Sequence, residues 1–582
     1  MQNTTIVNNN GSSASMADDR PKLIGHVIFC EGSNATVLAE NLPLAVLNTL
    51  GVSKFISLIK ETRRIVALIT STELASHTLG EGGHNRVKIH VQMIGEVWQD
   101  PQTGNSRFDT GIREYPTVGI ACSQISKHDL NTMFVSKKEV QTIKLGSLCL
   151  DANIASEVHL ENLLSRHFAI VGSTGVGKST ATALILNKIL DARASLRTVM
   201  FDPHNEYANA FGSRAEVFDI QHINIPFWLL NFEELCEVLF SGQKNIEFDI
   251  EFLRSAIPDA KSQFGSKGGI RRTVRSHEIT VDTPLPYQFL DIIKYIDDAM
   301  GMLDNRSDIP DLRRLRGRLT TVLNDPRYSL FFNVSRVEDN ILEILGDIFR
   351  LNDEQKPIAI LQMAGAPQEV SNSLISVLGR LAFDICQVSD KESEILIVCE
   401  EAHRYVPALS KTGMNHTQRA ISQIAKEGRK YGCYLCCITQ RPSELNPTIL
   451  SQCSTLFAMR LANEHDQDII RSAISASSTA MVKLISALAQ QEAIVFGEGV
   501  TFPMHFRFET LKKGHIPFSE ANQHEDDNLA LQKSAIEKAV DRLRNISNTQ
   551  MQVNYSQPQE TNKKVQGIEE WQRTFGPRSS GM

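Results

Sequence analysis

The feature that most constrains this 582-residue chain is one glycine-rich segment between an apolar run and a helical stretch. It follows the form G-x-x-x-x-G-K-[ST] and reads Gly172-Ser173-Thr174-Gly175-Val176-Gly177-Lys178-Ser179. Residues 167–171 before it are typical of a buried strand, and residues 179–190 after it have helical periodicity. Strand, glycine loop and helix in this order indicate a phosphate-binding loop in a parallel α/β sheet, rather than a chance glycine-rich turn.

The residue types of this loop suit a nucleotide phosphate chain. Glycines allow consecutive backbone N–H groups to face one anion, and the positive end of the helix dipole adds to the attraction. Lys178 reaches the outer phosphates, and the Ser179 hydroxyl is a ligand for Mg²⁺. The sequence therefore predicts ATP and Mg²⁺ as cofactors, bound by Gly172, Ser173, Thr174, Gly175, Val176, Gly177, Lys178, Ser179 and Thr180.

Two acidic residues follow another apolar run, residues 395–399. Hydrolysis of a bound nucleotide requires a carboxylate for the metal and a group that polarises the attacking water. We assign the metal-side carboxylate to Glu400, together with Ser179, and the base to Glu401. The alternative interpretation is that both acids merely begin a solvated helix.

Polar residues at two further strand ends are expected at the same sheet edge, where ligands bind in open α/β sheets. Asp202 and Glu206 follow residues 198–201 and are second-tier nucleotide-binding candidates. A capping role for Asp202 before Pro203 explains it equally well. Gln440 follows residues 434–439 and is a candidate sensor of the γ-phosphate or holder of the water.

Arg429 stands in a helix-end segment just before the strand that leads to Gln440. We expect this helix end to lie beside the nucleotide edge, from which an arginine can reach a neighbouring subunit and stabilise the transferred charge. The alternative is a surface arginine near a helix C-terminus. Arg441 is the second candidate for the role.

Changes in composition and in secondary-structure pattern along the chain predict four consecutive segments. Residues 1–22 form a disordered leader, and residues 23–150, with short β-like runs and turn clusters, form a small β-barrel or sandwich. Residues 151–520 carry the α/β motor, with a mostly helical insertion at about residues 231–350. Residues 521–582 form one charged helix and an extended polar tail.

Composition narrows the class of protein. The chain is 42% hydrophobic, and its apolar runs are too short to span a bilayer, which excludes a membrane-spanning protein. Its net charge of −7 gives no overall basic field, so binding to nucleic acid requires a local patch or an assembled ring. Ten cysteines in so long a chain fit a reduced cytoplasm.

The order and spacing of these motifs resemble the HerA-like branch of the FtsK/HerA hexameric P-loop translocases. The resemblance covers residues 23–509 and includes five short motifs beside the loop: residues 202–207, 325–328, 400–407, 427–432 and 440–442. Two positions depart from the pattern. Asn205 replaces the usual glycine, which is tolerable in a left-handed conformation, and Glu400 replaces the usual aspartate.

This resemblance implies a RecA-like motor preceded by a barrel of the type found in rotary ATP synthase subunits. It also implies a homohexameric ring around double-stranded DNA, working with a nuclease such as NurA or with an effector in antiviral (anti-phage) defence. The expected function is ATP-driven DNA translocation or helicase activity. A P-loop ATPase that serves as a regulatory scaffold for an effector enzyme is the alternative, and a metabolic kinase is disfavoured by the barrel, the tail and the ring-type arginine.

Two further expectations concern the pore of the expected ring and the C-terminal tail of the chain. Lys411, in the loop after the Glu400 strand, is a pore candidate, with a solvated lysine as the alternative. Trp571 and Phe575 lie in a polar tail that has too few apolar groups for its own core. We predict that the tail from about Asn548 anchors to the adjacent subunit; an unbound tail is the alternative.

Overall fold

The computed structural model describes residues 22–47, 49–60, 63–75, 86–100, 104–135, 140–220, 223–240, 242–267, 279–301, 307–332, 337–408, 415–474 and 479–517. The predicted leader, Lys411 and the predicted tail with Trp571 and Phe575 lie outside these residues. The expectations attached to them stay predictions.

Seven antiparallel strands form the first sheet. They are β1 (Leu23–Glu31), β2 (Asn34–Glu40), β3 (Phe55–Lys60), β4 (Arg63–Leu74), β5 (Arg86–Gln99), β6 (Ser106–Asp109) and β7 (Ala121–Gln124). The strand order is β2-β1-β7-β3-β4-β5-β6, and an additional pairing of β2 with β5 closes six of the strands into a barrel. The predicted small N-terminal barrel is confirmed.

The barrel has an apolar interior of its own. Val37, Ile56, Ile65 and Ile89 are fully or almost fully buried in it. Alternation along the strands places these side chains on the inner face, because successive residues of a strand point to opposite sides. Because β2 pairs with β5, each of these six strands has a neighbouring strand on both sides and none has an unpaired edge.

Eleven strands form the second sheet. They are β8 (Thr142–Leu148), β9 (Ala155–His159), β10 (Phe168–Val171), β11 (Arg197–Asp202), β12 (Ala215–Asp219), β13 (Ile358–Gln362), β14 (Ile395–Cys399), β15 (Cys433–Thr439), β16 (Thr455–Ala458), β17 (Glu492–Gly497) and β18 (Met504–Phe508). Their order is β12-β13-β11-β14-β15-β10-β16-β17-β18-β8-β9.

The first seven strands in this order are parallel, as predicted for a RecA-like P-loop fold. Every residue of β10, β14 and β15 is buried, because helices cover both faces of a parallel sheet. The last four strands join antiparallel, so the whole sheet is mixed rather than parallel. Among them, β8 precedes residue 150 and pairs with β18 of this second sheet.

Helices surround the second sheet and fill the insertion. They are α1 (Leu44–Leu47), α2 (Lys127–Phe134), α3 (Leu160–Ser165), α4 (Lys178–Ala192), α5 (Phe232–Phe240), α6 (Glu247–Lys267), α7 (Phe289–Gly301), α8 (Ile309–Leu323), α9 (Ser329–Phe332), α10 (Ile341–Ile348), α11 (Gln368–Val388), α12 (Asn415–Glu427), α13 (Pro447–Gln452), α14 (Glu464–Ala473) and α15 (Thr479–Val482). Helices α5 to α10 lie between β12 and β13 and constitute the predicted helical insertion. Within the part of the chain described, no helix is long and apolar enough to cross a membrane.

Candidate functional site

The glycine-rich loop connects the buried strand β10 to helix α4, as the motif predicts. Gly175 and Gly177 have φ angles of +77° and +96°, which are left-handed conformations that glycine adopts without strain. A Cβ at Gly172 would lie 2.9 Å from the Cβ of Met459, so the loop passes too close to β16 for any larger residue. The first-turn N–H groups of α4 have no helical acceptor and are free for an anion.

Lys178 and Glu401 meet across the site. The Lys178 Nζ lies 3.2 Å from the Glu401 Oε1, and the two side chains are only 9% and 6% exposed. Glu401 is the second residue after β14 and has a left-handed backbone with φ +48°. This conformation costs a non-glycine residue about 1–2 kcal/mol, and it turns the carboxylate back toward the loop. The structure thus brings the predicted base to the predicted phosphate-binding lysine.

His403 and the end of β15 surround the same carboxylate. The His403 Nδ1 lies 3.0 Å from the Thr439 Oγ1 and 3.4 Å from the Glu401 Oε2. The backbone N–H of Gln440 also faces Glu401 Oε2, at 3.5 Å. Burial lowers the pKa of His403, although the charge of Glu401 opposes this. No separate role for His403 could be predicted from the sequence, because its contact with Thr439 depends on how two strands align.

The metal side of the site is a cluster of carboxyl groups beside Ser179. The Ser179 hydroxyl donates to Glu206 Oε2 at 2.6 Å, so Glu206 rather than Glu400 is its direct partner. Glu400 Oε1 accepts from the Tyr207 hydroxyl at 3.0 Å, whereas its buried Oε2 has no hydrogen-bond partner among the residues that the structure describes. Burial, followed by the negative charges of Asp202 and Glu206, raises the pKa of Glu400 well above its ordinary value.

These groups fit a divalent cation. Hydroxyl and carboxylate oxygens are the ligands that Mg²⁺ prefers, and the unpartnered Glu400 Oε2 is a buried acceptor that a cation would satisfy. A cation would also favour the ionised form of Glu400. Ser179, Glu206 and Glu400 are therefore the residues that would hold Mg²⁺.

Asp202 has the capping role that the sequence left open. Its carboxylate accepts from the backbone N–H groups of His204, Glu206 and Tyr207 at 3.3, 3.2 and 3.0 Å. Burial raises its pKa. Asn205 in the same turn has φ +56°, the left-handed conformation expected for it. Asp202 therefore acts through the turn that positions Glu206 and Tyr207.

Gln440 and Arg441 lie at the nucleotide edge at the end of β15. The Thr174 hydroxyl of the loop donates to the Gln440 side-chain oxygen, which links the two motifs directly. The Arg441 side chain is 61% exposed and pairs with Glu444 at 2.7 Å. Gln440 is thus in contact with the loop, and Arg441 is oriented toward solvent beside it.

The expected location of Arg429 was wrong. Arg429 lies in the turn Gly428–Lys430, which precedes the amino end of β15, whereas the loop follows the carboxyl end of the adjacent parallel strand. A Cβ on Gly428 would lie 2.3 Å from the Cys433 carbonyl oxygen, which places this turn against the start of the strand. The exposed Arg429 is therefore about 20 Å from the nucleotide edge of its own chain, the length of a seven-residue strand.

Three residues near the loop were missed by the sequence reasoning. The backbone N–H of Gln491 donates to the Val176 carbonyl at 3.1 Å, and the Gln490 side chain approaches the Gly175 carbonyl at 3.4 Å. The exposed Arg460 follows β16, and its carbonyl accepts from the Ser173 N–H at 2.9 Å. No local motif marks these positions, because their proximity arises from the strand order.

Comparison with known proteins agrees with this site. Residues 143–382 match the family model "Helicase HerA, central domain". The DNA double-strand break repair helicase HerA of Pyrococcus furiosus is 26% identical over 397 residues, which cover 64% of this chain and 70% of the relative. The helicase of the same name from Saccharolobus solfataricus is 26% identical over 402 residues, which cover 67% and 72%.

Solved structures are more distant. VirB4 of Thermoanaerobacter pseudethanolicus has a TM-score of 0.44 and 13% identity, over 66% of this chain and 99% of that one. The plasmid coupling protein TrwB in complex with ADP and Mg²⁺ has a TM-score of 0.43 and 14% identity, over 65% and 94%. Together with the P-loop and the carboxylates after β14, these matches indicate a P-loop ATPase that is similar to the HerA helicases.

Proposed function

We propose that this chain is an ATP-driven translocase of double-stranded DNA that works as a homohexameric ring. The observation that carries the proposal is the buried pair of Lys178 and Glu401, which joins the phosphate-binding lysine to the residue best placed to orient a water. Relatives named as DNA double-strand break repair helicases support DNA as the substrate along which the motor moves.

The geometry suits a cycle in which nucleotide replaces one partner of the ion pair. The outer phosphates of ATP attract Lys178, so the lysine exchanges Glu401 for phosphate oxygens. Glu401 is then free to accept a hydrogen bond from the attacking water. Gln440, beside Thr174 of the loop, is placed to sense the γ-phosphate. Bound Mg²⁺ supplies neutralisation of the phosphate charge, and Ser179, Glu206 and Glu400 are the residues that would hold it.

A ring would bring an arginine of a neighbouring subunit to the nucleotide, a role that neither candidate arginine fills within its own chain. Arg429 is too far from its own loop to contact a bound phosphate, and Arg441 is paired with Glu444 on the surface. An arginine presented from a neighbouring subunit would complete the charge stabilisation that phosphoryl transfer requires. This requirement supports the homohexamer, with Arg429 as the first candidate and Arg441 as the second.

We further propose that the ring works with a nuclease or another effector protein, in DNA-end processing or in antiviral defence. The name of the curated relatives, which refers to double-strand break repair, supports a nuclease-linked role. All ten cysteines are free thiols, which supports a cytoplasmic location.

Displacement of a triplex-forming third strand from linear duplex DNA tests translocation. The purified full-length chain should displace the strand with ATP and Mg²⁺, and Glu401→Gln should not, although it still binds ATP. Glu40→Gln, which changes a surface carboxylate of the barrel that pairs with Arg86, is the matched control and should displace at the normal rate. ATP turnover without any displacement would refute the translocase and favour a regulatory scaffold.

A further inference from the structure

A second cluster of functional groups lies away from the P-loop edge, on three adjacent antiparallel strands. Strand register pairs Glu492 of β17 with Arg507 of β18, and Leu148 of β8 with Phe506 of β18. The next residue after Leu148, Cys149, donates its backbone N–H to the His505 carbonyl at 3.0 Å. His505 and Arg507 share one face of β18, so Cys149, Glu492 and His505 meet on that face.

The ligand-type atoms of these three residues lie close together. The Cys149 Sγ and one nitrogen or oxygen atom each of His505 and Glu492 all lie within 4.8 Å of one another. His505 Nε2 and Glu492 Oε2 are only 3.2 Å apart. A tetrahedral zinc with bonds of about 2.0–2.3 Å separates its ligands by about 3.3–3.8 Å, so small side-chain rotations would complete this geometry.

The surroundings already orient the carboxylate. Glu492 Oε1 accepts from Arg507 at 2.9 Å, and Oε2 accepts from the Ala489 backbone N–H at 3.1 Å. These bonds point Oε2 toward His505 in the way that outer hydrogen bonds position metal ligands. Thiol, imidazole and carboxylate together form a donor set typical of zinc, whereas Mg²⁺ and Ca²⁺ require oxygen ligands.

Two residues of the cluster, Cys149 and His505, line a cavity between the two sheets. The cavity has a volume of about 280 Å³ and is lined by barrel residues 52–55, by Cys149 and its neighbours Leu148 and Leu150, and by His505 of β18. We propose that Cys149, Glu492 and His505 bind one zinc ion at this cavity, with the fourth coordination position open to water. This site is separate from the Mg²⁺ residues of the nucleotide edge and independent of the proposed translocation.

Such an ion would fix the chain beside the P-loop. Glu492 directly follows Gln490 and Gln491, which contact the carbonyls of Gly175 and Val176. The Gln491 carbonyl also accepts from the Phe508 N–H at 3.0 Å, three residues beyond His505. The zinc would therefore hold β8, β17 and β18 together at the point where the motor sheet meets the barrel and where β17 reaches the loop.

Cobalt and zinc titrations of the full-length chain, purified without a histidine tag, test the site. Co²⁺ should produce the charge-transfer band of a cobalt–thiolate bond at one ion per chain, and Zn²⁺ should abolish it. Cys149→Ser should remove the band and weaken Zn²⁺ affinity at least about a hundredfold, because even outer-shell partners contribute 10- to 100-fold. Cys30→Ser, which changes a half-buried barrel cysteine, is the matched control and should keep both.

A measurement on the unmodified chain covers the case in which Cys149→Ser does not fold. Cys149 is the exposed cysteine among the ten, so maleimide should label it first. Stoichiometric Zn²⁺ should slow that labelling at least about tenfold, measured by mass spectrometry of the peptide that contains Cys149. Unchanged labelling in Zn²⁺, absence of the cobalt band, or a band that survives in a folded Cys149→Ser chain would each overturn the proposal.

Discussion

Glu401→Gln separates the two roles of Glu401, which are to neutralise the charge of Lys178 and to polarise the attacking water. The amide has the size of the carboxylate but neither its charge nor its capacity to polarise a water. The Lys178 Nζ and the Glu401 Oε1 are 3.2 Å apart, and both side chains are more than nine-tenths buried. The substitution therefore leaves a buried lysine without its counter-charge.

The magnitudes follow from this burial. Removal of one partner from a buried ion pair costs about 3–5 kcal/mol, and we expect about 3 kcal/mol because glutamine still accepts a hydrogen bond. ATP should reverse the loss, since phosphate oxygens replace the missing charge. In the unmodified chain ATP must break the Lys178–Glu401 ion pair in order to bind, whereas in the variant there is no ion pair to break. The affinity of the variant for ATP should therefore be tighter, by about tenfold for each 1.4 kcal/mol that breaking the pair costs. Hydrolysis should fall at least about a hundredfold, as is typical when a general base is removed.

Three measurements on the same preparation of Glu401→Gln test its stability, its ATP affinity and its hydrolysis. They are the thermal midpoint with and without ATP, the dissociation constant for a fluorescent ATP analogue, and steady-state phosphate release. Glu40→Gln is the matched control, because its pair with Arg86 in the barrel is 45–57% exposed and contributes only about 0–1 kcal/mol. Near-normal turnover in Glu401→Gln would remove Glu401 from the role of base. Unchanged stability and unchanged ATP affinity would refute the exchange of partners at Lys178.

Three further outcomes are expected. Lys178→Ala should weaken ATP binding and abolish turnover, which nucleotide titration and phosphate release will check; ATP affinity equal to that of the unmodified chain would contradict its place in the site. Rings mixed from Lys178→Ala and Arg429→Ala subunits should recover some hydrolysis at interfaces that pair two intact halves, and no recovery in rings proven to be mixed would direct attention to Arg441. Truncation after Ile546 should weaken the hexamer if the tail clasps its neighbour; a truncated chain that stays hexameric at equal dilution, with normal ATP hydrolysis, would show that it does not.

Much of the fold could be predicted from local patterns. Uninterrupted apolar runs such as residues 395–399 indicated strands buried on both faces, and the glycine-rich motif fixed the join between β10 and α4. The four antiparallel strands of the second sheet could not be predicted as part of it. The reason is that β8 lies before the glycine-rich loop in sequence and yet pairs with β18, the last strand of the chain described. Such long-range pairing leaves no periodic signal in either strand.

In the candidate site, too, some residue positions could be predicted from local sequence patterns and others could not. Residues within two positions of a strand end, such as Glu401 and Gln440, lie near the loop as expected, because parallel strands end at one edge. Arg429 was placed at the wrong edge because it stands before β15 rather than after it, and proximity in sequence does not reveal the strand direction. Glu206 became the partner of Ser179 through the turn capped by Asp202, a geometry that composition does not encode.

Three of the ten described non-glycine residues with a positive φ angle lie near the candidate site. Asn205, Glu401 and Gln491 have φ angles of +56°, +48° and +63°, and all three lie near the glycine-rich loop. Each conformation costs about 1–3 kcal/mol and persists only where the surroundings determine it. The buried strands β11 and β14 fix the first two, and the bond from Gln491 to the Val176 carbonyl fixes the third. A glycine at position 401 would relieve the strain but lose the carboxylate that pairs with Lys178, so Glu401→Gly should ease the backbone and remove the ion pair.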